Sequence, residues 1–114
     1  MNKITYDKRY LEGYREKLIS FEKARYDAIK DVILKTIKNR KRNIKMLDYG
    51  SGNGLFVPLF KECFPNSNHY FCDISDIALK QLIKKYPEYK KNLSIIYRDK
   101  TNYTNYNFDI IISI

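Results

Sequence analysis

A short apolar strand running straight into three closely spaced glycines constrains this chain more than any other feature. Lys45-Met46-Leu47-Asp48-Tyr49 reads as a strand, and Gly50-x-Gly52-x-Gly54 follows at once. Leu55, Phe56, Leu59, Phe60 and Cys63 then recur at helical steps until Phe64-Pro65-Asn66-Ser67-Asn68 ends the run. Strand, glycine turn and helix in that order are the opening unit of an open α/β sheet, where glycine lets a ligand approach the backbone at a sharp bend. Pro58 cannot donate a helical hydrogen bond, so the helix has to start close to it and keep Pro58 in its first turn.

The residues that follow repeat the alternation. His69-Tyr70-Phe71-Cys72-Asp73 reads as a second strand; Ser75 then caps a helix with Leu79, Leu82, Ile83 and Tyr86 on one face, stopped by Pro87. Leu93-Ser94-Ile95-Ile96-Tyr97 gives a third strand. The continuous apolar run Phe108 to Ile114 gives a fourth, of the kind expected where both faces are buried. Short strands separated by helices indicate a parallel sheet, and the fold expected is a Rossmann-like three-layer α/β sandwich with strand order 3-2-1-4. That order requires the segment from Arg98 to Asn107 to cross about 14 Å and return about 20 Å along a strand. Ten residues reach about 33 Å at most, enough for the direct path of about 24 Å. Asn102, Asn105 and Asn107 suit a loop there.

Ahead of this half-sheet, residues 1–44 form an amino-terminal helical segment and a basic loop. Leu11, Tyr14, Leu18, Phe21, Ala28, Ile29, Val32, Ile33 and Thr36 form a ladder at three- and four-residue steps, predicting helix from about Tyr10 to Lys38. Ser20 before Phe21-Glu22 suits an N-cap, so one bent helix and two consecutive helices are both open. The loop Lys38-Asn39-Arg40-Lys41-Arg42 is the densest part of a chain with net charge +9 and pI near 9.5. That balance suits a nucleic acid, an anionic membrane or acidic substrates. Yet the loop precedes the first strand and belongs at the amino edge of the sheet, whereas ligands of open α/β sheets bind at the carboxyl edge. No apolar run reaches the roughly 20 residues that span a bilayer, and the first residues lack the apolar stretch of a signal peptide, so a cytoplasmic location is expected. Cys63 and Cys72 lack CxxC spacing and read as buried thiols, with no metal site expected.

The chemistry concentrates around the glycine turn. Asp73 ends the second strand nineteen residues after Gly54, where a carboxylate can accept hydrogen bonds from both hydroxyls of a ribose. It can equally cap the turn before Ser75. A nicotinamide dinucleotide fingerprint wants glycine at position 55, where this chain has Leu55, and no P-loop is present. Asp48 beside the turn would repel a pyrophosphate but suit a positively charged ligand.

With Met46 to Gly54, Phe71-Cys72-Asp73-Ile74-Ser75 and Phe108 to Ser113, the chain resembles the amino-terminal half of the class I S-adenosylmethionine-dependent methyltransferase superfamily over residues 45–114. The resemblance implies S-adenosyl-L-methionine as cofactor, with Asp48, Gly50, Ser51, Gly52 and Gly54 at the turn that cradles its methionine and ribose. It implies Asp73 on the ribose hydroxyls, Ile74 on one face of the adenine, Asp99 on the adenine amino group and Ser113 near the methionine moiety. Asp99 between Arg98 and Lys100 also reads as a solvated loop acid, and Asp109 as a structural turn residue. Arg25 would reach the cofactor carboxylate only if its helix lids the site. His69 belongs to the core or sheet surface, and Tyr6, Tyr10 and Tyr14 do not make an aromatic cage by number alone.

The function expected is therefore transfer of a methyl group to an acceptor, a small molecule before a nucleic acid, with no general base that can be named. Superfamily members continue past the fourth strand, so the expectation is a chain truncated after strand four and inactive by itself. A non-catalytic cofactor- or nucleotide-binding module, and a truncated remnant without function, are the alternatives.

Overall fold

Four strands, Lys45–Tyr49 (β1), Asn68–Asp73 (β2), Leu93–Ile95 (β3) and Ile110–Ile112 (β4), pair in parallel in the order β3-β2-β1-β4. The computed structural model describes residues 3–11, 20–97, 100–103 and 106–114. Leu47 stands opposite Tyr70 on one side and Ile111 on the other. Because side chains alternate along a strand, this register sends Met46, Asp48, Phe71, Asp73, Ile110 and Ile112 to one face and Leu47, Tyr70, Cys72 and Ile111 to the other.

The first face is covered by helices. Ser20–Thr36 (α2) and Val57–Cys63 (α3) bring Ile33, Leu59, Phe60 and Cys63 onto Met46 and Ile44, while Asp76–Lys85 (α4) brings Leu82 onto Phe71 and Val57. Phe60, Phe64 and Phe71 are almost fully buried, each such side chain contributing about 1.5–3 kcal/mol. Pro58 sits in the first turn of α3, as its missing donor requires, and Ser75 caps α4 by accepting from the Ala78 N–H at 3.1 Å. A 3-10 turn, Pro87–Tyr89, follows where Pro87 stops α4.

The second face is layered differently. Leu47 and Cys72 lie beneath Ile96 and Tyr103, and Tyr70, Tyr103, Tyr106 and Phe108 meet in edge and stacked contacts with centroids 5.0–5.9 Å apart. Among the described residues the third layer is thus an aromatic segment, with no helix.

Three expectations change. β4 is not buried on both faces: Ile111 is 62% exposed, because the aromatic segment ends over Leu47 and Tyr70 and none of the described elements packs beyond it. β3 stops at Ile95, and Tyr97 instead exchanges backbone hydrogen bonds with Lys100 at 2.8 and 3.0 Å. At the amino end, helix begins at Lys3, not near Tyr10: Lys3–Leu11 (α1) precedes α2, which ends at Thr36. Ser20, where a break or N-cap was expected, is the first residue of α2, and residues 12–19, where Tyr14 and Leu18 lie, are outside the described residues.

At the amino edge, the Lys45 N–H donates to Asp109 Oδ2 and the Asp109 N–H donates to the Lys45 carbonyl, both at 2.8 Å. Asp109 is therefore a clip that starts β4 beside β1. No helix among the described residues is long and apolar enough to cross a membrane.

Candidate functional site

The carboxyl ends of β1 and β2 lie side by side, and the chain leaving β1 folds at once over the end of β2. The Gly50 and Ser51 N–H groups both donate to the Cys72 carbonyl, at 2.8 and 3.0 Å, with Gly50 at φ 81°. Gly52 (φ 58°) donates its N–H to Asp73 Oδ2 at 2.8 Å. Gly54 (φ 85°) lets α4 come close, since a Cβ there would stand 3.0 Å from Leu82 Cγ and 3.1 Å from Val57 Cγ2. These are positive φ values that a side chain resists.

Two carboxylates face the same side of the sheet at this turn. Asp48 is 4% exposed and Asp73 7%. Burial, and then the negative charge of Asp73, push the Asp48 carboxyl up to about 7. Among the described residues no cation is paired with it. A buried carboxyl in that position gains most from a ligand that brings positive charge.

Asp73 is more engaged than a ribose acceptor alone would be. Its Oδ2 accepts from Gly52 and its Oδ1 from the Ser75 N–H at 3.0 Å. The turn-capping role is thus present, and each oxygen keeps lone-pair capacity for a further donor. Ser51 is nearly buried. Ile74 is half-buried against the Leu47, Cys72 and Ile96 cluster of the second face.

Asp48, Gly50, Ser51, Gly52, Gly54, Asp73 and Ile74 therefore meet at the ends of β1 and β2. Ser113 comes one residue after Ile112, which pairs with Asp48, and so lies at the same carboxyl edge of the sheet. It follows β4 and lines an apolar cleft of about 530 Å³ between α2 and β4, together with Arg25, Ile29 and Ile112. Asp99 lies outside the described residues. His69 is buried with Nε2 3.1 Å from the Phe64 carbonyl, and burial lowers its pKa. Both cysteines are buried and free, with Cys72 raised to about 11 by burial.

Residues that the sequence reading passed over complete the turn. Asn53 is 1% exposed; its Nδ2 donates to Gln81 Oε1 at 3.3 Å, and its Oδ1 is buried without a partner. Tyr10, 4% exposed, lays its ring on Gly52, with Cζ 3.2 Å from where a Cβ would be. Asn53 was visible only as the residue between two glycines, and Tyr10 only as one of many tyrosines. Among the described residues, no group of three His, Cys, Asp or Glu is placed to hold a metal ion.

Comparison with known proteins agrees with the fold. The profile of the methyltransferase small domain family matches residues 17–113. A solved structure of the selenomethionine-substituted CurJ carbon methyltransferase superposes with a TM-score of 0.64 at 16% identity, over 85% of this chain and 28% of that one. The structure of YjhP from E. coli gives a TM-score of 0.45 at 16% identity, over 88% of this chain and 34% of that one. This chain thus spans about a third or less of the solved chains it resembles. The curated proteins give no match.

Proposed function

Because the chain belongs to the methyltransferase small domain family, we propose that its glycine turn is the S-adenosylmethionine site of a methyltransferase acting on a small-molecule acceptor. The observation that carries this reading is the pair of buried carboxylates, Asp48 and Asp73, against a turn whose Gly52 presents no side chain. S-adenosylmethionine supplies, when bound, a methyl group already activated on a sulfonium, together with a cationic amino group.

The residues fit such a ligand. Asp48, without a cationic partner among the described residues, gives a negative charge to either cation of the ligand. Asp73, fixed by Gly52 and Ser75, offers the remaining lone pairs of both oxygens to ribose hydroxyls. Ile74 supplies an apolar side for the adenine. Two acids at the turn disfavour the pyrophosphate of a dinucleotide. In this reading the chain's contribution is binding and orientation, and positioning of donor against acceptor can supply up to about 7–11 kcal/mol of a barrier.

Calorimetry with S-adenosylhomocysteine and with NAD tests the reading. Binding of the former and not the latter is expected. Tight binding of NAD without S-adenosylhomocysteine would end it.

A further inference from the structure

The glycine turn is covered by the chain's own first helix. Gly52 is the residue whose missing side chain opens the backbone to a ligand in turns of this kind. Its open side is taken by the Tyr10 phenol, with Cζ and Cε1 3.2 and 3.6 Å from where a Cβ would stand. Around Gly52, the residues Ser51, Asn53, Asp73 and Ser75 are buried as well, and α1 touches two of these five positions, Gly52 through Tyr10 and Ser75 through Asp7.

Among the described side chains, the contacts that dock α1 are mostly polar, and they run to α4 and its cap. Lys3 Nζ lies 2.6 Å from Asp76 and 2.7 Å from Asp7. Asp7 pairs with the Ser75 hydroxyl, and Gln81 Nε2 donates to the Tyr10 carbonyl at 3.0 Å. Leu11 is 69% exposed, which leaves Tyr10 as the principal apolar anchor among the described side chains of the helix. Exposed ion pairs are weak in water and screened by salt. Such a helix is held closely enough to fill a site and loosely enough to leave it.

We propose that α1 is a self-occluding strap, in which Tyr10 fills the ligand's place over Gly52 and the cofactor enters when α1 lifts from α4. The inference rests on the S-adenosylmethionine reading above. It gives the binding step a sign that the reading alone does not. If only the undocked fraction can bind, the apparent dissociation constant is the intrinsic one divided by that fraction, so any change that undocks α1 tightens binding.

The test titrates S-adenosylhomocysteine into the full chain as wild type, as Tyr10→Ala, and as the double variant Lys3→Gln, Asp7→Asn. The double variant leaves the buried ring in place and keeps the test valid if Tyr10→Ala does not fold. Both variants are expected to bind at least threefold tighter than wild type, and α1 amides are expected to exchange hydrogen faster when the ligand is bound. Equal or weaker binding by the folded variants, or slower exchange in α1 with ligand, would overturn the strap and make Tyr10 part of the site's roof. If wild type and variants alike fail to bind, the cofactor reading falls and the strap with it.

Discussion

Stability should fall as pH rises through neutrality, and Asp48 is the reason. Its carboxyl is held at about 7 in the folded chain, against 3.8 as the ordinary value, by burial and the charge of Asp73. Between those values the folded state keeps a proton that the unfolded state has released, so each step up in pH favours unfolding. From pH 5 to pH 8 the linkage amounts to about 3 kcal/mol from this one group. Asp48→Asn removes the titration while keeping the shape. Urea unfolding of wild type and variant at both pH values isolates the effect, because groups common to the two, His69 included, cancel in the difference. The wild type is expected to lose about 3 kcal/mol more than the variant over that interval. A difference below about 1 kcal/mol would refute the claim that the buried carboxyl keeps its proton to neutral pH. A cationic ligand should pull the same proton off, so S-adenosylhomocysteine, through its amino group, should bind the wild type more tightly at pH 8 than at pH 6.

Asp73→Ala should weaken cofactor binding at least tenfold, about 1.4 kcal/mol. It should also destabilise the fold by about 2–6 kcal/mol, because the Gly52 and Ser75 amides lose their acceptor. Comparing calorimetry with urea unfolding separates the two effects. Gly54→Ala should destabilise by roughly 1–3 kcal/mol, since its φ of 85° disfavours a side chain and the new Cβ would stand 3.0 Å from Leu82. Thermal unfolding measures this, and an unchanged melting temperature would contradict the close approach of α4. Ser75→Ala should cost about 1 kcal/mol through loss of the α4 cap and should also free Asp7. Iodoacetamide at pH 8 should leave both thiols unmodified in the native state, because Cys63 and Cys72 are buried with raised pKa values; mass spectrometry reads the outcome.

What the sequence disclosed about this fold is what neighbouring residues decide. The β1 pattern, the Gly50 to Gly54 turn, Pro58 at a helix start and Ser75 at an N-cap are local signals, and each stands where its chemistry required. The strand order expected of an open α/β sheet was one that the length of chain between β3 and β4 permits. The aromatic third layer was not legible, because Tyr70, Tyr103, Tyr106 and Phe108 share no period and meet only after the sheet has formed. Ile111 was misread for a related reason: an apolar run describes what a strand can bury, and the cover over it comes from elsewhere. At the site, residue types were readable and their engagements were not. The bond between Asp73 and Gly52 links residues 21 apart, and the Asp7 contact with Ser75 links residues 68 apart. Such bonds belong to the assembled turn.

The clip between Lys45 and Asp109 joins residues separated by 64 positions. With chain growth of 5–20 residues per second, Lys45 emerges about 3–13 s before its partner is made. Throughout that interval β1, later a central strand, has a bare edge. β2 and α3 can already be in place, since β1 pairs with β2 and α3 lies between them in the chain. A strand made much later thus closes the side of the first, and a nascent chain of this topology is exposed to wrong strand pairing for as long as Asp109 is unmade.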